Sequence, residues 1–128
     1  MIHHVAIWVA DLEKTKDFYV KYFGGIPNKV YHNQKTNFKS YFITFSDGTK
    51  LELMQRPDIS EIRGRGDKQF LGLTHIAFST GSKEGVDALT DRLIKDGFIL
   101  ISAPRTTGDG FYESCILDLE SNRVEITV

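Results

Sequence analysis

Apolar and polar residues alternate at the start of the chain and then change to a helical spacing. The alternation from Ile2 to Val9, rich in β-branched residues, predicts a β-strand. Asp11 is typical of a helix N-cap, and the apolar spacing that follows predicts a helix ending near Phe23, where Gly24-Gly25 would stop it. The chain is therefore predicted to begin with a strand followed by a helix.

Strand patterns return after this helix. The aromatic stretch from Tyr41 to Phe45 predicts one strand, and Lys50 to Met54 predicts its partner across a hairpin turn at residues 46–49. Weaker strand character from Lys29 to Tyr31 predicts one more strand before these two. The first half thus follows the order β-α-β-β-β.

The second half repeats that order after a segment with the composition of a linker. Residues 57–72, which follow Arg56, contain proline, two internal glycines and scattered charges. Ser82 then predicts a second helix N-cap and Gly97 the end of that helix. Strands are predicted on either side of the helix, at residues 73–80, 98–101, 111–118 and 123–128.

These patterns predict two modules, residues 1–56 and 73–128, joined by the linker 57–72. Neither module alone can bury both faces of its sheet, so we expect the two to form one α+β domain over residues 1–128. Two βαβββ modules in tandem would form a curved mixed sheet around a central cavity, with the helices on the outer face.

Each module carries a histidine in its first strand and a glutamate in its last. Because side chains alternate across a strand, each of these residues is predicted to lie opposite the apolar face that receives the helix. All four would then line the concave side of the sheet. The sequence therefore predicts one metal site with the ligands His4, Glu52, His75 and Glu125.

Two imidazoles and two carboxylates form a nitrogen and oxygen ligand set suited to one divalent ion: Ni²⁺, Zn²⁺, Co²⁺, Mn²⁺ or Fe²⁺. An octahedral ion would keep two positions for water, and open positions are typical of catalytic metal sites. A substrate with two neighbouring oxygens would take those positions. The alternative interpretation is that both histidines are ordinary core residues, that Glu125 pairs with Arg123, and that Glu52 pairs with Lys50 or Lys16.

Composition limits the partners and the location that we expect. The 128 residues are 41% hydrophobic and carry a formal net charge of −1, which favours neither a nucleic acid nor a membrane surface. No apolar run approaches the roughly 18 residues of a membrane-spanning helix, and the N-terminus shows no leader peptide. Cys115 is the only cysteine, and it is predicted to be a buried, unreactive thiol. We therefore expect a cytoplasmic protein.

The chain resembles the vicinal oxygen chelate superfamily, which includes glyoxalase I, methylmalonyl-CoA epimerase, extradiol dioxygenases and the fosfomycin and bleomycin resistance proteins. The resemblance covers essentially the whole chain and implies a single glyoxalase-like domain with the same four metal ligands. It rests on His4 to Leu12 followed by Phe18-Tyr19, on Leu51-Glu52-Leu53, on His75-Ile76-Ala77 and on Asp118 to Glu125.

Resemblance to the glyoxalase I branch implies a metal-dependent lyase or isomerase that acts on a small substrate through an enediolate-like intermediate. Glu52 or Glu125 would be the catalytic base. Glyoxalase I usually has an arginine that holds the glutathione carboxylate at the position of Trp8, and an indole cannot replace it. The alternatives are an Fe²⁺ ring-cleaving type of dioxygenase and a non-catalytic binding or resistance protein on the same fold.

Four further residues are candidates for substrate binding. Trp8 lies on the predicted ligand face, as a substrate wall or as plain packing. The segment from Arg105 to Glu113 predicts a loop and the start of a strand at the rim, with Arg105 as an anion contact and Tyr112 or Glu113 as polar wall groups. Simple turn chemistry from its glycines is the alternative.

Because open sheets expose strand edges, we also expect a homodimer.

Overall fold

The computed structural model describes residues 1–60, 69 and 71–128. The chain divides into two compact units, Met1–Ile62 and Arg63–Val128, and each contains one helix packed on one mixed sheet. The predicted α+β fold with a repeated β-α-β arrangement is confirmed. Most of the predicted linker, residues 57–72, lies outside the described residues.

Unit 1 (Met1–Ile62) has five strands, one more than predicted for the first module. The elements are β1 (Val5–Trp8), α1 (Leu12–Phe23), β2 (Ile26–Pro27), β3 (Tyr31–Asn33), β4 (Phe38–Thr44) and β5 (Lys50–Gln55). In the sheet, β5 runs parallel to β1 and antiparallel to β4, and β2 and β3 both pair with β4.

Two short strands replace the single strand predicted at residues 29–31. Asn28 lies between them and is bonded to Phe42 of β4 by its backbone N–H, at 3.0 Å, and by its side-chain oxygen, at 2.8 Å. The side chain accepts a bond that a regular ladder would give to a backbone carbonyl, so the pairing with β4 is interrupted at this point.

Unit 2 (Arg63–Val128) repeats the arrangement with four strands. The elements are β6 (His75–Ser79), α2 (Lys83–Lys95), β7 (Leu100–Thr106), β8 (Tyr112–Leu117) and β9 (Arg123–Thr127). The strand order in the sheet is β6-β9-β8-β7; β6 and β9 are parallel, and the other two pairings are antiparallel. No helix among the described residues is long and apolar enough to span a membrane.

The ends of α1 confirm the predicted cap residues. The Asp11 side chain accepts a hydrogen bond from the backbone N–H of Lys14 at 3.0 Å. Gly24 ends the helix with φ of +65°, a left-handed conformation that glycine adopts without strain. Gly25 follows against β4, where an added Cβ would overlap the Ile43 side chain. Gly24 is therefore required for its left-handed backbone conformation, and Gly25 for its lack of a side chain.

The predicted alternation of faces is confirmed in the strands that carry the candidate ligands. In β5, Leu51 and Leu53 are buried and Glu52 between them is only half-buried. In β9, Val124 and Ile126 are fully buried on either side of the half-buried Glu125. The apolar face of each sheet thus receives its helix, and the glutamate lies on the other face.

Strand β7 differs from the prediction, because it continues through Pro104 to Thr106 and so contains Arg105. The prediction placed Arg105 in a loop. Here β7 is the edge strand, and its pairing with β8 shifts register between Ser102 and Arg105. An edge position with an irregular register accommodates the missing N–H of proline.

Candidate functional site

His4 and Glu52 form a close pair in unit 1. Ala6 is the register partner of Glu52, so His4, two residues before Ala6, lies on the same face of the sheet. His4 Nε2 is 3.4 Å from Glu52 Oε2, while its Nδ1 is 2.8 Å from Nδ1 of His3. The ring of Phe42 packs edge-on against the His4 ring, with 5.1 Å between centroids. The imidazole is therefore oriented from three sides.

His75 and Glu125 form the equivalent pair in unit 2. Ala77 is the register partner of Glu125, and His75 lies two residues before it, as His4 does before Ala6. His75 Nε2 is 3.1 Å from Glu125 Oε2. The two units thus repeat the residue types, the register and the approach of nitrogen to oxygen.

Glu125 lies in a partly desolvated position, with 20% of its side chain exposed. Burial raises the pKa of its carboxyl above the ordinary value, and the neighbouring carboxylate of Glu113 adds to this rise. The charges of His75, Arg105 and Arg123 act in the opposite direction. A cation at this position would therefore find a carboxylate whose negative charge is poorly compensated by solvent.

The face that carries Glu125 also carries two groups from β8. Cys115 is the register partner of Glu125, and Glu113 lies two residues away on the same face, opposite Arg105 of β7. Cys115 is buried, which raises the pKa of its thiol. The structure therefore brings Glu113 and Arg105 to the face of Glu125, and adds a thiol that the sequence had assigned only to the core.

Tyr112 lies on the opposite face of β8. Its hydroxyl donates a hydrogen bond to Asp87 of α2 at 2.8 Å, and Lys83 Nζ lies 5.1 Å from its ring centroid. The bond to Asp87 raises the pKa of the Tyr112 hydroxyl. The structure does not bring Tyr112 together with Glu113 and Glu125; the side chain connects β8 with α2.

Trp8 lies on the face of Glu52, at the end of β1, and has a neighbour that sequence reasoning missed. The guanidinium of Arg56 lies over the indole, with 5.3 Å from Cζ to the ring centroid. Arg56 has the strand parity of Glu52 and Met54, which was a readable signal. No role at the site had been predicted for Arg56, which was the last residue of the first module.

The alternative partner Lys16 does not belong to this face. Its Nζ lies 2.7 Å from Glu13 and 3.1 Å from Asp17, both on α1.

Within each unit the described residues bring two candidate ligands together. Among all the described residues there is no group of three or more histidine, cysteine, aspartate or glutamate side chains that could hold a metal ion. Each unit thus offers a pair of ligands.

Comparison with known proteins identifies the family. A sequence model of the Glyoxalase/Bleomycin resistance protein/Dioxygenase superfamily matches residues 1–126. The chain belongs to this superfamily. Among curated proteins, this member of the superfamily is 34% identical over 82 residues to the uncharacterized protein YwkD of Bacillus subtilis. That match covers 63% of the chain and 62% of YwkD, so the chain spans less than two thirds of this relative.

Solved structures of the superfamily share the fold. A glyoxalase family protein from Enterococcus faecalis superposes with a TM-score of 0.80 at 24% identity, covering 100% of the chain and 97% of that protein. The trypanothione-dependent glyoxalase I of Leishmania major superposes with a TM-score of 0.77 at 18% identity, covering 99% of the chain and 85% of that enzyme. At these identities the likeness shows the glyoxalase fold and leaves the reaction to be argued from the site.

Proposed function

We propose that the protein is a metal-dependent lyase or isomerase of glyoxalase I type, and that it acts on a small substrate with neighbouring oxygen atoms. The four ligands of one divalent ion would be the two pairs, His4 with Glu52 and His75 with Glu125. The observation that carries the proposal is the repetition of this pair, with nitrogen to oxygen distances of 3.4 and 3.1 Å in the two units. Superfamily membership supports it.

The donor atoms of each pair fit a shared metal ion. Ligand bonds of about 2.0–2.2 Å place two adjacent donors of one ion roughly 2.8–3.6 Å apart, for angles between the octahedral and tetrahedral values. Both pairs lie in this range. In each histidine it is Nε2 that approaches the carboxylate, and the His4 ring is held from its other nitrogen by His3. Outer contacts of this kind orient metal-binding imidazoles.

The other groups on the ligand faces have roles in this proposal. When bound, the divalent ion polarises a substrate carbonyl and stabilises negative charge on its oxygen. Glu52 or Glu125 accepts and returns the proton of the substrate carbon. Glu113 is a second acceptor on the face of Glu125, and Arg105 supplies positive charge beside it. The indole of Trp8 covers the bound substrate on the sheet face that carries Glu52.

Metal content of the untagged protein tests the ligand set. The wild type should hold about one divalent ion per chain, measured by elemental mass spectrometry, and Glu52→Gln and His75→Ala should lose it. Two matched controls change the same residue types elsewhere: Glu13→Gln removes a carboxylate that pairs with Lys16 on α1, and His32→Ala removes an imidazole bonded to Asn37. Both controls should keep the ion.

A wild type without metal, even after reconstitution with Ni²⁺, Zn²⁺, Mn²⁺ and anaerobic Fe²⁺, would contradict the proposal and favour a binding protein on the same fold. If the ion binds, turnover of α-keto-aldehyde thiohemiacetals supports the glyoxalase type. Turnover of catechols with Fe²⁺ and oxygen, and not of the thiohemiacetals, would replace it with a dioxygenase. The three results therefore distinguish a binding protein, a glyoxalase-type enzyme and a dioxygenase.

We also propose a homodimer, and subunit mixing would show how its ligand pairs combine. If each ion takes one pair from each of two chains, a mixed dimer of Glu52→Gln and His75→Ala chains has one intact site, because both defects fall in the other site. If each ion takes both pairs from one chain, every site in the mixed dimer is defective. Metal content after subunit exchange distinguishes the two arrangements.

A further inference from the structure

Arg56 is held in a fixed place on the indole of Trp8. Its Cζ lies 5.3 Å from the ring centroid, within the distance of a cation–π contact. Asp58 fixes the other side of the guanidinium, with Oδ1 2.5 Å from Nε. Among the residues that the structure describes, the terminal nitrogens Nη1 and Nη2 have no hydrogen-bond partner. The guanidinium group is thus held in a fixed orientation, and its two Nη groups can donate hydrogen bonds to a ligand.

Arg56 lines an open depression on the surface of unit 1, together with Thr36, Pro57 and Asp58. Its volume is about 390 Å³. Because it is open to solvent, it would hold one end of a small ligand and would not enclose the whole ligand. The depression lies between the turn that joins β3 to β4 and the chain just after β5.

Aromatic rings from neighbouring strands of unit 1 adjoin Trp8. Phe38 packs edge-on against Trp8 with 6.0 Å between centroids, and Tyr31 approaches Phe38 at the same distance. Trp8 and Tyr31 are 37% and 54% exposed. Exposed rings next to a guanidinium offer flat apolar surface to a ligand whose charged end is bound by the guanidinium.

We propose that Arg56 and Trp8 bind the carboxylate end of a small organic anion whose adjacent part is flat and apolar. The two Nη groups match the two oxygens of a carboxylate. Asp58 neutralises part of the charge of Arg56, which favours a singly charged carboxylate over a doubly charged phosphate. The indole and the neighbouring rings contact the apolar part.

This ligand would also reach the proposed metal ligands of unit 1. Arg56 follows Glu52 by four residues and comes directly after β5, so at most roughly 13 Å of chain separates the two. A substrate with its carboxylate on Arg56 and its neighbouring oxygens beside His4 and Glu52 is therefore elongated. The role of the anion as a substrate rests on the proposed function, whereas its binding to Arg56 does not require the metal.

Fluorescence of Trp8 reports on this site directly, because Trp8 is the only tryptophan in the chain. The metal-free protein is titrated with benzoate, with benzamide as the uncharged analogue and with phenyl phosphate as the doubly charged one. The titrations are repeated for Arg56→Gln and for Lys35→Gln, which removes a cation from the neighbouring β3–β4 turn without changing the lining. Circular dichroism confirms that both variants are folded.

Benzoate should change the fluorescence of the wild type with saturation, and benzamide and phenyl phosphate should bind more weakly. Loss of hydrogen bonds to a charged group should weaken benzoate binding at least about tenfold in Arg56→Gln. Lys35→Gln should remain within about twofold of the wild type, since exposed charges contribute little. These differences would assign carboxylate binding to Arg56.

Four results would overturn the proposal: no saturable change with benzoate, equal binding of benzamide, tighter binding of phenyl phosphate, or equal loss in Arg56→Gln and Lys35→Gln. All four are obtained without metal. They are therefore distinguishable from failure of the proposed function, which is measured as the metal content of the wild type.

Discussion

Ala77 and Glu125 are register partners across the parallel strands β6 and β9, so a single methyl group lies beside the carboxylate. Ala6 and Glu52 repeat this pairing across β1 and β5. Neighbouring strands lie about 4.7–4.9 Å apart, so register partners on one face are adjacent. A small residue at this position leaves the space beside the glutamate open in both units.

We expect Ala77→Leu to lower divalent metal affinity without removing a ligand, because the added carbons occupy the space beside Glu125. The loss should be at least about tenfold, comparable with that of other groups that surround a metal site. The measurement is a competition titration with a metal-sensitive dye. Ser79→Leu is the control, since Ser79 shares strand and face with Ala77 but pairs with Thr127. Equal affinities in the two leucine variants would contradict the prediction.

Two glutamates on one face of unit 2 should differ in their effect on metal binding. Glu125 approaches His75, whereas Glu113 pairs in register with Thr127. Glu125→Gln should lower affinity by more than roughly 100-fold, because loss of an outer contact alone costs 10–100-fold. Glu113→Gln should keep the ion and lower only the rate of turnover. The prediction fails if the two glutamine variants have similar dissociation constants.

The strand faces could be predicted from the sequence because period-two alternation is local. It correctly placed Glu52 and Glu125 opposite the buried leucine, valine and isoleucine positions. The same rule separates Tyr112 from Glu113, since adjacent residues of a strand point to opposite faces. Either residue was predicted as a wall group without applying this rule, and Tyr112 contacts α2.

Contacts that depend on the path of the chain could not be predicted in this way. The position of Arg56 over Trp8 depends on how the chain leaves β5 and on the ion pair with Asp58. The inclusion of Arg105 in β7 depends on an edge position and a register shift that tolerate Pro104. The parity of Arg56 with Glu52 is visible in the sequence, but its contact with Trp8 and the register shift in β7 are not.

Replacement of Gly25 by alanine should destabilise the protein by about 1–3 kcal/mol, since an added Cβ would overlap the buried side chain of Ile43. The free energy of unfolding is measured by urea titration. Gly108→Ala provides the control, because an added Cβ there has no neighbour within 4 Å. The control should change stability by less than about 0.5 kcal/mol. Equal changes in the two variants would show that the contact with Ile43 is not the cause.

The cap of α1 should make part of the stability depend on pH. The backbone N–H of Lys14 holds the pKa of Asp11 below its ordinary value. Since the folded-state pKa is lowered, the charged cap stabilises the protein above the unfolded pKa of about 3.9, and this contribution is lost as pH falls through the folded pKa. Asp11→Asn keeps a capping oxygen that does not titrate.

We therefore expect the stability of the wild type relative to Asp11→Asn to be greater at pH 6 than at pH 2.5. Urea titrations of both proteins at the two pH values give this difference, and the acid transitions of all other groups cancel between them. A difference that does not change with pH would mean that the charge of Asp11 contributes nothing to the cap.

A buried hydroxyl pair joins α2 to its sheet and should behave as one unit. Thr90 and Ser114 are both almost completely buried, their side-chain oxygens are 2.6 Å apart, and Thr90 also donates to the Val86 carbonyl at 2.6 Å.

Thr90→Val keeps the shape of the side chain but leaves the Ser114 hydroxyl without this partner, which should lower the free energy of unfolding by about 1–3 kcal/mol. Ser114→Ala should cost less, because Thr90 retains the carbonyl of Val86. The double variant should be more stable than the sum of the single changes predicts, since neither hydroxyl then remains buried alone. Additive effects in urea titrations of the four proteins would show that the two hydroxyls do not interact.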